Sequence, residues 1–162
     1  MPRMLQVERV SIECRVARNP EEVAAHHAIR RRVFVDEQRV FAGSDRDGHD
    51  DDPGIIHAVG FVGALAGGTV RLFPLDETGK LWQGDRLAVL PEHRVHGLGA
   101  PLVRYAVRSA AERGGEVMVA HVQLPNVIFF ERLGWHRTGE VEDYVGLPHV
   151  PMAIGLTTRP VG

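Results

Sequence analysis

Hydrophobic and polar positions fall into short, regular blocks along this chain. Residues 11–17, SIECRVA, keep the two-residue rhythm of a strand. NPEEVAAHHAIRRRVFVDEQ (19–38) carries an apolar stripe of Val23, Ile29, Val33 and Phe34 and predicts a helix. Its start is well marked: Asn19 suits the cap, Pro20 the first helical position, and Glu22 stands three residues after the cap. A polar loop, AGSDRDGHDDDPG (42–54), comes next. IIHAVGFV and GGTVRLFPL predict an antiparallel pair turning near Gly63, and KLWQGDRLAVL (80–90) a longer strand stopped by Pro91. APLVRYAVRSAAERGG repeats Leu102, Val103, Ala106, Val107 and Ala110 at helical spacing and ends at Gly114–Gly115. EVMVAHVQL is apolar enough for a buried strand, PNVIFFERLG predicts a short helix, and WHRTGEVEDYVG and HVPMAIGL close the chain as strands. The expected class is α/β, in the form of an α+β mixed sheet of about seven strands flanked by about four helices.

Composition narrows the function classes. At 162 residues the chain predicts one domain, spanning 1–162. A 44% apolar and 25% charged make-up is that of a globular protein. The net charge of -2 leaves no electrostatic footprint for nucleic acid or an anionic membrane. One cysteine, Cys14, excludes an internal disulfide framework and fits a reducing, cytoplasmic setting. The N-terminus lacks a signal-peptide pattern, and no apolar run reaches membrane-spanning length. No metal site is expected: the nine histidines show no zinc spacing. DRDGHDDD (45–52) resembles a calcium loop only superficially, with Asp50 at the glycine place and Ile56 at the glutamate place. It reads as a solvated acidic loop that could flank an acceptor entrance.

Chemistry concentrates at PEHRVHGLGAPLV (91–103), where two glycines join a strand to a helix. A helix N-terminus carries unpaired N–H groups and partial positive charge, so it suits an anion. Gly97 and Gly99 clear space for one, and Arg94 adds a cation. A dinucleotide loop would need glycine at Leu102, and a nucleoside-triphosphate loop would need Gly-Lys-Ser/Thr. Both readings fail, which leaves a coenzyme phosphate or a plain turn.

RLAVLPEHRVHGLGA resembles the acetyl-coenzyme A signature of the GNAT superfamily of N-acetyltransferases, with Arg94-x-x-Gly97-x-Gly99 after Val89-x-Pro91. FFERLGW resembles the second cofactor segment of that family. RRRVFVDEQ, DRDGHD and a late PHVPM look like the ElaA-like branch and the nitrogen-starvation-associated group of small acetyltransferases. The resemblance covers residues 12 to 155 and implies a GNAT-like fold with acetyl-CoA as cosubstrate. It places the pantetheine arm along Leu87, Ala88 and Val89 and the pyrophosphate on the amides of Val95, His96, Gly97, Leu98, Gly99 and Ala100, next to Arg94. Pro101 offers no N–H.

The implied reaction is acetyl transfer to the amine of a small-molecule acceptor, by direct attack in a ternary complex. Two departures stand out. Phe130 occupies the usual tyrosine place and cannot protonate the leaving thiolate; Gln123 replaces the usual asparagine, and Asn126, one turn later, is the alternative that faces the cofactor, so the resemblance puts all three beside the cofactor. Either the acid lies elsewhere or coenzyme A leaves as a thiolate, which a thiol pKa near 8.5 tolerates. Asp85 shares the side parity of Leu87 and either reaches the cleft as a base or partners Arg86 or Arg71. His121, in an apolar strand, is either a base or a core histidine with a backbone partner. His57, placed where the ElaA-like pattern carries a histidine, is either catalytic or structural. Glu37, at the end of the first helix, either holds a cationic acceptor or is a solvated helix end. Phe130 and the undeclared base also motivate a non-catalytic alternative, an acyl-CoA-binding sensor with the same fold. A homodimer agrees with the habit of the family.

Overall fold

The computed structural model describes residues 10–157. Strand β1 (Ile12–Val16) leads to helix α1 (Pro20–Arg30), whose Asn19 side chain accepts a hydrogen bond from the Glu22 N–H, the cap the sequence implies. The predicted helix over 19–38 changes character midway. From Arg31 to Glu37 it is a π-helical turn, closed by the Gln38 N–H on the Val33 carbonyl at 2.8 Å. The core continues through β2 (Ile56–Val62), β3 (Leu65–Pro74) and β4 (Leu81–Val89). A 3₁₀ turn (Pro91–His96) then precedes α2 (Gly99–Glu112). Strand β5 (Val117–Gln123), α3 (Val127–Arg132), β6 (His136–Arg137), β7 (Glu142–Tyr144) and β8 (Leu147–Gly155) complete the described chain.

These strands form one mixed sheet of eight, in the order β1-β2-β3-β4-β5-β8-β6 with β7 also on β8. The expected count was about seven; the segment after Trp135 forms two short strands, both paired to β8, where one was expected. All pairs are antiparallel except β4–β5, which is parallel. Helix α2 lays Leu102, Val103, Ala106 and Ala110 on one face of the sheet, over Val70, Leu72, Met118 and Val122. A smaller cluster of Ile29, Val33, Phe34, Ala88 and Leu90 covers the other face beneath α1. Gly68 exists for the first contact: a Cβ there would stand 2.8 Å from Leu102 Cδ1 and 2.9 Å from the Ala88 carbonyl. Cys14 lies on an edge strand, half-buried against the core, and burial raises its thiol pKa to about 11. No helix among the described residues is long and apolar enough to cross a membrane.

Two features of β4 shape the centre of the sheet. Its pairing with β5 covers only Leu81↔Val117, Trp82↔Met118 and Gln83↔Val119; beyond them the two strands part. On its other side the register with β3 shifts between Thr69 and Arg71, where Arg86 takes a left-handed φ of 51°. One extra residue in β4 makes this a β-bulge, which bends the strand. The bulge also corrects the side parity read from the sequence. Leu87 packs into the α2-side core, whereas Asp85 bonds Arg71 on the opposite face, because the extra residue flips the alternation.

A candidate cofactor cleft and acceptor chamber

Where β4 and β5 part, the sheet opens into a cleft of about 570 Å³. Leu87, Ala88 and Val89 form one wall, and Asn126 and Phe129 the other. Its mouth is the glycine turn: Arg94, Gly97, Leu98, Gly99 and Ala100. Gly97 has φ 65°, and no atom lies within 4 Å of where its Cβ would stand. The turn therefore needs glycine for its backbone conformation, and the space beside it is open. Helix α2 begins at Gly99 with no side-chain cap, so its first N–H groups face that mouth. The side chains of Val95 and His96 do not line the cleft, and Val95 is 84% exposed.

Arg94 is engaged. Its Nε donates to the Val89 carbonyl at 3.0 Å, and its guanidinium forks onto Glu37, with Nη1 2.9 Å from Oε2. The Arg94 hydrogen bond holds the Glu37 carboxyl below its usual range. Glu37 therefore lines the outer cleft, beside the glycine turn, where the π-helical turn carries it.

A second, inner cavity of about 110 Å³ lies next to this cleft, and Leu87 and Asn126 line both. Asp85, His121, Gln123, Tyr144 and His149 give it a polar side. His121 is not the core histidine that its apolar strand suggested. β5 buries Met118, Ala120 and Val122 on one face, and His121 points out of the other. There its Nδ1 lies 2.8 Å from Glu142 Oε1, and its ring stacks on Tyr144 at 4.2 Å and 8°. A carboxylate only accepts, so Nδ1–H donates and Nε2 keeps its lone pair. Gln123 Nε2 donates to Gln38 Oε1 at 3.1 Å, tying β5 to the end of the π-helical turn. Phe130 is buried and packs edge-on against Trp135 at 5.3 Å, closing the inner cavity with an apolar ring.

The acidic loop is a further correction, since three of its aspartates are structural. Arg30, Arg71 and Arg86 are buried under it, and each needs carboxylates. Arg30 bonds Asp45 at 2.6 Å and Asp50 at 2.7 Å; Arg71 bonds Asp47 at 2.6 Å and Asp85 at 2.7 Å; Arg86 bonds Asp45 at 3.1 Å. Asp50 titrates well below the usual range: burial alone raises it, but hydrogen bonds from Arg30 and His57 outweigh that. Asp85 is thus the partner of Arg71, its carboxylate held by two guanidinium N–H groups. His57 belongs to the same network, its Nε2 2.9 Å from Asp50 Oδ1, and it lines neither cavity. His27, Asp50 and His57 bring ligand atoms within 4.8 Å of one another. A cation there would compete with Arg30 and with Arg71, whose Nη1 is 3.2 Å from the same Asp50 oxygen.

Sequence reasoning missed Glu142 and Tyr144. Only the pairing of β7 onto β8 carries Glu142 to His121, and neither its spacing nor its type announces that contact.

A mixed sheet split at its parallel central pair, with an uncapped glycine turn at the mouth of the split, defines a GNAT-type α/β protein. The family model "Acetyltransferase (GNAT) family" matches residues 13–135, and the chain belongs to that family. YjcF of Bacillus subtilis (strain 168), described as an uncharacterized N-acetyltransferase, is 30% identical over 138 residues, 85% of this chain and 95% of its own. Escherichia coli ElaA superposes with a TM-score of 0.77 at 20% identity, over 90% of this chain and 99% of its own. An aminoglycoside 6'-N-acetyltransferase solved with coenzyme A superposes with a TM-score of 0.71 at 19% identity, over 93% and 99%. Those two likenesses concern the fold.

Proposed function

We propose that this single-domain protein transfers an acyl group from acyl-coenzyme A, acetyl-CoA in the simplest case, to the amine of a small acceptor in a ternary complex. The observation that carries the reading is that the outer cleft and a chamber holding a partnered histidine lie side by side, sharing Leu87 and Asn126 as walls. The cleft fits the coenzyme by its own chemistry: an open left-handed glycine and an uncapped helix start for a pyrophosphate, and an unpaired strand edge for an amide-bearing arm. Arg94 would exchange Glu37 for the phosphates. When bound, the thioester supplies an activated carbonyl with a good leaving group.

The rest falls to the chain. Backbone N–H groups on Leu87–Val89 that no β5 carbonyl claims are available to polarise an acyl oxygen. His121 Nε2 takes the ammonium proton, while Glu142 holds the ring in one tautomer and stabilises its cationic form. Asp85, His57 and Glu37 are positioning or structural residues in this reading. Protonation of the leaving sulfur falls to Tyr144, the phenol in the chamber, or to water, since Phe130 has no proton to give. Two of the three segments that resemble the ElaA-like branch, RRRVFVDEQ and DRDGHD, meet in the buried arginine–aspartate network, which supports that assignment through Arg30, Asp45 and Asp50.

Calorimetric titration with acetyl-CoA, coenzyme A and ATP tests the cleft. Micromolar binding of both coenzymes with far weaker ATP is expected, and no binding sinks the reading. A screen of amines for release of free thiol then tests turnover. His121→Gln should cut kcat about 10²–10⁴-fold while leaving coenzyme affinity intact; full activity in that variant removes His121 from the role. Tight binding with no thiol release across a broad amine panel would instead favour the sensor.

A further inference from the structure

The inner cavity is larger and drier on one side than an acetyl group requires. Past the polar side chains it runs through the split in the sheet to the α2 face, where Val103, Ala106, Met118, Ala120, Phe130 and Trp135 line it. All six belong to or border the hydrophobic core, and none brings a charge. The opening exists because β4 and β5 stop pairing at Gln83 and Val119, directly before Gly84 and Ala120. Small residues stand at that apex, and Gly84 leaves Met118 Sδ only 3.2 Å from where a Cβ would be. A tyrosine in place of Phe130 would have brought a hydroxyl that needs a partner; phenylalanine keeps the wall apolar.

Resting on the acyl-transfer reading, we propose that the donor acyl group is a short aliphatic chain, with room on the order of four carbons, lodged in this cavity between β4 and β5. Four carbons is the upper bound set by comparison with an apolar cavity of about 150 Å³ that accepts benzene, because the 110 Å³ here includes the polar side that the amine enters. A thioester held along Leu87 has its acyl carbon where the two cavities meet, so a chain extends inward while the amine approaches from the side of His121 and Tyr144. In the transfer, the amine nitrogen forms a bond to the thioester carbonyl carbon and the carbon–sulfur bond breaks. With the first ammonium proton already on His121, the attacking nitrogen gives up one more proton and the sulfur gains one, by way of Tyr144 or water, giving an amide and free coenzyme A. No other reactant is needed.

The test is the affinity of the intact protein for coenzyme A and its acetyl, propionyl, butyryl, hexanoyl and octanoyl thioesters, by calorimetry. Each methylene that enters the cavity should tighten binding about fourfold, with a maximum near propionyl or butyryl and weaker binding of hexanoyl and octanoyl. Acetyl-CoA binding as well as or better than every longer thioester would overturn the inference and leave the acyl-transfer reading standing. Failure of coenzyme A itself to bind would bring down both. Ala120→Val should move the best chain shorter, read as a ratio of affinities within the variant; an unchanged maximum would also overturn the placement. The wild-type series decides the matter if that variant does not fold.

Discussion

His26 is fully buried and uncharged. Its Nδ1–H donates to the Ala58 carbonyl at 2.9 Å, and its Nε2 accepts from Arg30 Nη1 at 3.2 Å. Burial, with His57, Arg30 and His27 close by, drops its pKa from 6.5 to about 2, and His27 drops to about 4 for the same leading reason. Both folded values lie below the unfolded one, so the unfolded chain takes up these protons first. Stability is full above pH 6.5 and falls as the pH drops below it, before the ordinary carboxylates titrate. His26 alone costs on the order of 3 kcal/mol by about pH 4.5. Thermal melts from pH 8 to 4.5 should show this decline, and His26→Gln should flatten it; a flat wild-type profile would contradict the buried neutral ring. Arg71 is the other decisive residue. It is fully buried and forked onto both Asp85 and Asp47. Arg71→Met strands those carboxylates and should cost about 3–5 kcal/mol, read as a lower urea midpoint. The sequence shows all these groups but not their pairing: DRDGHDDD reads as solvated because the three arginines that claim Asp45, Asp47 and Asp50 lie on α1, β3 and β4.

Strand β4 and the turn after it make the site at the level of elements. The bulge at Arg86 bends β4, and its parallel pairing with β5 ends after three rungs. Amides of β4 beyond Gln83 that point away from β3 therefore lack a strand partner. They should exchange rapidly in the free protein and slow when coenzyme A binds; equal exchange in both states would mean no pseudo-strand forms. At the turn, Gly97→Leu should cost about 1–2 kcal/mol for its left-handed backbone, since no atom obstructs a Cβ there. The same side chain should weaken acetyl-CoA about tenfold or more, an energy of about 1.4 kcal/mol per tenfold. A loss of folding with no separate loss of binding would show that Gly97 serves only the turn. The two glycines and Arg94 were legible in the chain because their spacing is local. The bulge was not, since two successive polar residues, Asp85 and Arg86, do not by themselves mark an extra residue, and only the register against β3 reveals it.

The whole molecule is a sheet opened at its middle, and a ligand in that opening bridges both halves. Coenzyme A at a hundred times its dissociation constant adds about 2.7 kcal/mol, and a chain of this size gains about 2–4 °C per kcal/mol. Thermal shift should therefore rise several degrees with coenzyme A and much less with ATP. By itself the sequence determined the order of strands and helices, the cap at Asn19 and the glycine turn after Val89, because each depends on neighbours a few residues apart. Tertiary structure alone decided that Asp85 serves Arg71, that Glu37 meets Arg94 beside the glycine turn and that His121 meets Glu142 from 21 residues away. Those outcomes depend on strand register, on one bulge and on which charges the core must neutralise, and such long-range terms leave no local period in a chain.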